Sequence, residues 1–278
     1  MTHAILKGKL RSASSQINEQ LEDLLTSEIF SRLRYLDLEV GLLPILNRVQ
    51  NVANKQTGLP IQSKINSTDD FTFWPRLTLK SGKVVEPDLI IKLETECNKK
   101  IVIVVECKHR SGKSGVIIPE DQEIDGYEST PKDQLVKELL VANEHYPEAK
   151  VFLIYLTGHA ILPESDIDES VNSIKDFEGM NGTYFYDSVY WIGWKEIWNI
   201  LSEQRDKFSH KRVISIIIED ITNLLEYHGY RYFEGITGPS EYITVLRQKV
   251  WYKSGFLGWQ NLPEFSFSNK SIVYYERG

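Results

Sequence analysis

The chain has 278 residues, of which 41% are hydrophobic and 26% are charged, so it is long enough to bury a substantial core. Its net charge of −7 argues against a tight, nonspecific coat on DNA, because such binding depends on lysine and arginine contacts with phosphates. The first residues lack the apolar stretch of a signal peptide, and the later apolar runs are too short to cross a bilayer. We expect a cytoplasmic protein without membrane contacts.

Helical spacing governs the first elements of the chain. Between residues 15 and 49 apolar side chains recur at intervals of three and four, which predicts a helix followed by a second helix near Pro44. The polar stretch over residues 54–70 is typical of a loop. Three strand-like runs follow, at residues 71–80, 84–94 and 101–109. Their short connections predict adjacent strands in a hairpin or meander.

The second half of the chain alternates between helical and apolar patterns. A helix is predicted over residues 132–146, and the wholly apolar run at residues 151–158 predicts an interior strand. Residues 161–182 resemble a linker, after which two helices are predicted at residues 190–201 and 212–230. An aromatic tail ends the chain.

The two cysteines, Cys97 and Cys107, lie in or beside strand-like runs. One possible bridge is not a disulfide framework, and the two lack the spacing of a metal-ligand pair. We expect both to be reduced thiols, in agreement with a cytoplasmic location.

Two acidic residues and a lysine lie at the ends of neighbouring predicted strands. Glu106 and Lys108 flank Cys107 at the end of the apolar run IVIVV, so their side chains project to one side of the strand. Asp88 follows Pro87 in the preceding strand, and pairing of the two strands would bring its carboxylate toward Glu106. Converging carboxylates repel each other and favour a hard divalent cation, with Mg²⁺ the expected ion and Mn²⁺ a substitute.

The segments EPD at 86–88 and ECK at 106–108 resemble the motif of the PD-(D/E)xK, or restriction-endonuclease-like, nuclease superfamily. The order helix, three strands, helix, strand over residues 15–160 is similar to the core of that family. The resemblance implies an α/β fold with a mixed central sheet flanked by helices. It divides the chain into a nuclease core at residues 1–160 and a linker with a helical and aromatic C-terminal extension at residues 161–278, packed on the core or on a partner.

The resemblance also implies an activity, a metal-dependent endonuclease that hydrolyses phosphodiester bonds. DNA is the expected substrate. The segment LLEYHGYRYFEGI at 224–236 resembles segments of bacterial restriction and phage-defence nucleases, which implies defence as one biological context. Asp88, Glu106 and the backbone carbonyl of Cys107 would hold Mg²⁺. Lys108 would support the attacking water or stabilise negative charge at the phosphate.

In that family a glutamate of the first helix often completes the metal site. Glu22 is the residue predicted here and Glu28 is the alternative, since a spacing of six residues puts them on different faces of one helix. Family members also often carry a polar residue on the helix that follows the lysine strand. Gln134 occupies that position and is predicted to belong to the site.

Three other motifs suggest chemistry but have simpler explanations. His109 follows the lysine and is expected at the surface. The sequence SGKS at 111–114 resembles the end of a phosphate-binding loop, but Cys107 stands where that loop requires its first glycine. Tryptophans at helical spacing predict a packed face rather than a stack for bases, at Trp191, Trp194 and Trp198.

Two alternatives to a nuclease remain open. One is a catalytically dormant subunit that keeps the nuclease fold and binds nucleic acid or a partner protein. The other is an α/β protein that has EPD and ECK by chance, with Asp88 and Glu106 far apart. An active double-strand cutter would be expected to form a homodimer, and the low net charge leaves room for a partner protein that supplies recognition.

Overall fold

The structure is a computed structural model that describes residues 17–109, 131–175 and 180–232. These residues lie in one compact unit, which extends to Tyr232. The SGKS segment at 111–114 and the predicted aromatic tail lie outside the described residues. Within the described ranges no helix is both long and apolar enough to cross a membrane.

The described residues form seven helices and eight strands. The helices are α1 (Ile17–Leu33), α2 (Leu42–Leu46), α3 (Gln134–His145), α4 (Glu164–Lys175), α5 (Gly182–Ser188), α6 (Trp194–Lys207) and α7 (Arg212–Tyr227). The strands are β1 (Gln50–Asn51), β2 (Ile65–Phe73), β3 (Leu77–Thr78), β4 (Val84–Val85), β5 (Leu89–Thr95), β6 (Lys100–Cys107), β7 (Lys150–Thr157) and β8 (Val189–Gly193).

Six of these strands form one mixed sheet in the order β1-β8-β7-β6-β5-β2. The neighbours β2, β5 and β6 are antiparallel, whereas β6, β7 and β8 run parallel and β1 is antiparallel to β8. Helix α3 connects β6 to β7, as parallel neighbours require a crossover. Strands β3 and β4 form a separate two-stranded sheet. The predicted α/β class with a mixed sheet is therefore confirmed.

Helices cover both faces of the six-stranded sheet. Ile103 and Val105 of β6 belong to the core formed with α1, α2, α6 and α7. Val102 and Val104 belong to the second core, which includes α3, α4 and α5. Alternate residues of a strand point to opposite faces, so a strand buried on both faces is apolar throughout. This explains the continuous apolar runs of β6 and β7.

Several predicted elements are confirmed. Both N-terminal helices, the antiparallel pair β5 and β6, the helix α3, the interior strand β7 and the helix α7 form where the sequence predicts them. Helix α3 starts where the Asp133 side chain accepts a hydrogen bond from the N–H of Val136 at 3.1 Å, a favoured N-cap. Trp194 and Trp198 are buried on α6, as the predicted packed face requires, while Trp191 lies in β8.

Other elements differ from the prediction. Residues 189–193 form strand β8 beside β7, and helix α6 begins only at Trp194. The β-branched and aromatic residues of VYWIG favour a strand. The helical spacing of the tryptophans led instead to the prediction of a helix from residue 190. The predicted linker contains α4, whose Ile167 and Ile174 are buried. Strand β2 begins at Ile65, inside the predicted loop. Part of the predicted C-terminal extension thus belongs to the sheet and its covering helices.

The burial of β8 generates a stability prediction. Ile192→Ala removes a side chain that is 2% exposed, and we expect it to lower the free energy of unfolding by about 2–5 kcal/mol. Ile161→Ala is the matched control, because Ile161 is 78% exposed, and it should change stability by less than about 0.5 kcal/mol. Urea denaturation followed by circular dichroism measures both. Equal effects of the two variants would contradict an interior position for β8.

Candidate functional site

The register of β5 and β6 brings two predicted acidic residues to one end of the sheet. Leu89 pairs with Val105, so Asp88 and Glu106, the adjoining residues, lie at the same end of the antiparallel pair. Asp88 Oδ2 accepts a hydrogen bond of 2.8 Å from the backbone N–H of Cys107. The first carboxylate is therefore fixed against the backbone of the strand that carries the second. Asp88 and Glu106 thus lie at the same end of one strand pair, whereas the chance-motif alternative expects them to be far apart.

Lys108 places its ammonium group between carboxylates from two different elements. Its Nζ donates to Glu22 Oε1 of α1 at 3.2 Å and also contacts Glu106 Oε1 of β6. Lys108 is 6% exposed and Glu106 is 1% exposed, so these charges interact where water screens them little. The structure thus brings together Glu22, Glu106 and Lys108 from among the predicted site residues.

Helix α3 faces the same carboxylate with two polar side chains one turn apart. Gln134 Nε2 donates to Glu106 Oε1 at 2.7 Å and to Glu138 Oε1 at 3.1 Å. Gln134 therefore reaches the site, as predicted from its position in the chain. Glu138 is buried and was not among the predicted residues. Its spacing of four residues from Gln134, on a helix whose neighbouring face is apolar, was the signal that could have identified it.

Two buried carboxylate oxygens accept no hydrogen bond from a backbone, amide, hydroxyl or ammonium donor in the described part of the chain. They are the Oε2 atoms of Glu106 and Glu138. A buried carboxylate oxygen without a partner is costly unless it is protonated or binds a cation. The donor set at Glu106 is thus chemically suited to an additional proton or to a metal ion.

The site shifts the proton affinities of its own members. Burial first, and then the neighbouring Glu106 carboxylate, raise the pKa of Glu138 well above its usual value. The same two causes raise the pKa of Asp88, although Lys108 and the N–H of Cys107 oppose them. Burial acts to lower the pKa of Lys108, but the surrounding carboxylates, Glu106 foremost, outweigh it and raise that pKa. Lys108 is therefore a cation at neutral pH.

The fit of the site to a divalent cation can be judged from these contacts. Carboxylate oxygens are the ligands that Mg²⁺ and Mn²⁺ favour, and Glu106 Oε2 is buried and accepts no hydrogen bond from a described backbone, amide, hydroxyl or ammonium donor. However, no three His, Cys, Asp or Glu side chains of the described ranges are already arranged to hold a metal ion. Glu22 and Glu106 bind Lys108, and Asp88 binds the Cys107 amide. The residues present fit the ion by chemistry, and the metal site stays a prediction.

The remaining predicted residues have clear positions. Glu28, the alternative to Glu22, forms an ion pair with Arg32 one turn along α1. The structure therefore gives Glu22, not Glu28, the contact with the lysine. Cys107 is buried and Cys97 is exposed, and both are free cysteines. Burial raises the pKa of the Cys107 thiol, and its backbone carbonyl stays a predicted ligand.

His109 is buried, so its predicted surface position is wrong. Its backbone N–H donates to Glu22 Oε2 at 2.8 Å. Its carbonyl accepts a hydrogen bond of 2.7 Å from the Tyr230 hydroxyl, which also contacts its Nδ1. Tyr230 lies 121 residues further along the chain, so no local pattern could indicate that His109 would be covered.

Comparison with known proteins gives a distant relative but no family. The chain is similar to an uncharacterized protein of Pasteurella multocida (strain Pm70), PM0110, with 24% identity over 241 residues. The similarity covers 84% of this chain and 81% of the relative. No family model matches the chain, and no solved structure matches it. Functional inference therefore rests on the geometry of the site.

The raised pKa of Glu138 generates a pH-dependent prediction. The folded protein keeps this carboxyl protonated at pH values where the unfolded chain ionises it, so the fold loses stability as pH rises above about 4.5. Glu138→Gln cannot ionise and removes that loss. As the pH rises, we expect the free energy of unfolding of Glu138→Gln to increase relative to that of the wild type by up to about 1.4 kcal/mol per pH unit. This increase should end where the pH reaches the pKa of Glu138 in the folded protein.

Chemical denaturation between pH 4 and pH 9 measures this difference. Glu169→Gln is the control, because Glu169 is exposed on α4 and meets water in both the folded and unfolded states. It makes the same chemical change at a position outside the buried cluster. A pH-independent difference for Glu138→Gln would show that the Glu138 carboxyl is ionised in the folded protein.

Proposed function

We propose that this chain is a metal-dependent nuclease that hydrolyses phosphodiester bonds, with DNA as its substrate. The observation that carries the proposal is the buried cluster in which Lys108 lies between Glu22 and Glu106, beside Asp88. An isolated surface ion pair contributes little and needs no such surroundings. Burying one lysine among three carboxylates is costly and is typical of a functional site.

The order of elements supports the same proposal. Helix α1, strands β2, β5 and β6, helix α3 and strand β7 occur in this order along the chain, with the short α2 and β1 between α1 and β2 and the small β3–β4 sheet between β2 and β5. This order matches helix, three strands, helix, strand. We therefore include in the proposal that the core is of the restriction-endonuclease-like type, with EPD immediately before β5 and ECK spanning the end of β6.

In the proposed mechanism the carboxylates would hold the metal ion and the other residues would orient them. Asp88 and Glu106 would supply ligand oxygens, and Glu22 and the Cys107 carbonyl would complete the set. An ion bound there would polarise the phosphodiester and lower the pKa of a bound water. Because Gln134 donates to Glu106 Oε1, it fixes the rotation of that carboxylate and leaves Oε2 for a ligand.

Lys108 has a separate role in the proposal. Its ammonium group is permanently charged at neutral pH and is held by Glu22 and Glu106. From there Nζ can donate to an attacking water or to the negative charge that develops on the phosphate. A preorganised cation in a poorly solvated site stabilises such charge far better than one in water.

One observation favours a dormant nuclease-fold subunit as the second candidate. Among the described residues, no three acidic, His or Cys side chains are already arranged around a metal position, and Lys108 is tied to two of the predicted ligands. The net charge of −7 also suits a chain that relies on a partner for contact with nucleic acid. Such a subunit has no need to bind Mg²⁺ through Asp88 and Glu106, so calorimetric titration with Mg²⁺ distinguishes the two.

Cleavage assays test the proposal directly. Purified protein is incubated with plasmid, linear and single-stranded DNA and with RNA, in Mg²⁺, Mn²⁺ or EDTA. We expect DNA cutting that EDTA abolishes. Asp88→Ala and Lys108→Ala should each reduce the rate by at least about 100-fold, because each removes a group that acts on the transition state.

Lys92→Ala is the matched control for Lys108→Ala. Lys92 lies on the adjacent strand β5 and pairs with Asp70 on the sheet edge, away from the cluster. It should cut at the wild-type rate. Full activity in folded Asp88→Ala and Lys108→Ala proteins would refute the proposed site. Failure of the wild type to cut any substrate or to bind Mg²⁺ would favour the dormant subunit.

A further inference from the structure

The short segment after β6 determines how Glu22 meets the lysine. Glu22 Oε1 accepts from Lys108 Nζ at 3.2 Å, and Glu22 Oε2 accepts from the backbone N–H of His109 at 2.8 Å. Both oxygens of one carboxylate are thus occupied by two consecutive residues. The orientation of Glu22, and with it the position of the lysine, depends on where the backbone of residues 108–109 lies.

Three long-range hydrogen bonds hold that backbone. The N–H of Lys108 donates to the carbonyl of Leu156 on β7 at 2.7 Å, and Trp194 Nε1 donates to the carbonyl of Lys108 at 3.2 Å. The Tyr230 hydroxyl donates to the carbonyl of His109 at 2.7 Å. These partners come from β7, α6 and the segment after α7, so the site is anchored by elements far from it in the chain.

Tyr230 holds the side chain of His109 as well as its backbone. The hydroxyl carries one hydrogen, and a carbonyl can only accept, so the hydroxyl donates to the His109 carbonyl and accepts from Nδ1–H of the same residue. The two rings meet edge to face at 5.3 Å between centroids. One side chain thereby fixes both the peptide and the imidazole of His109.

The local structure around Tyr230 is shaped to allow this contact. Gly229 has a φ of +84°, in the left-handed region, and ends α7 so that the chain turns back and buries Tyr230. A Cβ on Gly158 would overlap the carbonyl of His109 and lie 2.8 Å from the Tyr230 hydroxyl. Gly229 therefore makes the turn, and Gly158 leaves the space, that the Tyr230–His109 contact requires.

We propose that Tyr230 is a positioning residue for the site: through His109 it orients Glu22, and through Glu22 it holds Lys108 for catalysis. This role rests on the proposed nuclease function of the Glu22–Lys108 cluster. It extends the functional unit to the end of α7, well past the strand that carries the lysine.

The substitution Tyr230→Phe tests the role because it keeps the ring and removes the hydroxyl. Tyr227→Phe is the matched control, since Tyr227 is 85% exposed three residues earlier. We expect amide hydrogen exchange at His109, measured by NMR, to accelerate about tenfold in Tyr230→Phe and to stay at the wild-type rate in Tyr227→Phe. We also expect kcat for DNA cleavage to fall about tenfold with KM unchanged.

A double-mutant cycle with Glu22→Gln separates positioning from a general structural role. If Tyr230 acts through Glu22, then Tyr230→Phe lowers kcat in the wild-type background but has little further effect in the Glu22→Gln background. An equal loss in both backgrounds, or unchanged His109 exchange in Tyr230→Phe, would overturn the inference. A wild type that does not cut DNA refutes the nuclease proposal instead, and the exchange measurement still decides whether Tyr230 orients the His109 amide.

Discussion

The burial of the Lys108 ammonium group is the constraint on which the rest of the site depends. Moving an ion out of water costs several kcal/mol even after the protein relaxes, and this cost is offset only by close, well-oriented counter-charges. Here those charges come from Glu22 on α1 and Glu106 on β6. The lysine therefore requires the first helix and the central sheet to be assembled together.

The same constraint explains why polar residues occur on α3. Glu106 is buried beside Lys108, so its carboxylate also needs partners, and Gln134 supplies one from the helix that crosses between β6 and β7. Glu138 then lies one turn beyond Gln134 in the same buried environment. Each buried polar group needs a further polar partner, so a continuous series of contacts connects α1 to β6 and β6 to α3. Such networks rigidify a site because few alternative arrangements satisfy all members.

How far sequence could predict this structure depends on the distance between interacting residues. The helices and strands with clear apolar periodicity were predicted, because that pattern is local. The approach of Asp88 to Glu106 was predicted as well, since two consecutive strands form an antiparallel pair. Strand β8 was missed because tryptophans at helical spacing straddle its boundary with α6. The position of Ile65 in a strand was hidden by polar neighbours on an outer strand of the sheet.

The site followed the same rule. The sequence pointed to Glu22 and Gln134 only through a family resemblance. The structure shows their contacts with Lys108 and Glu106, while their roles in a metal site stay predictions. Nothing local in the sequence marks His109 as buried. Its burial depends on Tyr230 and on the absence of a side chain at Gly158. Neither Tyr230 nor Gly158 is a residue type that by itself indicates a metal site or a catalytic site.

These contacts also determine how much of the chain is needed to surround the Glu22–Glu106–Lys108 cluster. A fragment ending at residue 160 would keep Asp88, Glu106, Lys108 and both residues of α3, and would look complete by its motif. It would lose β8, which pairs with β7 along the sheet, and the Trp194 contact with the carbonyl of Lys108. It would also lose the hydroxyl that holds His109. The short acidic motif and the structure that orients it are thus encoded in separate parts of the chain, and the second part extends at least to Tyr230.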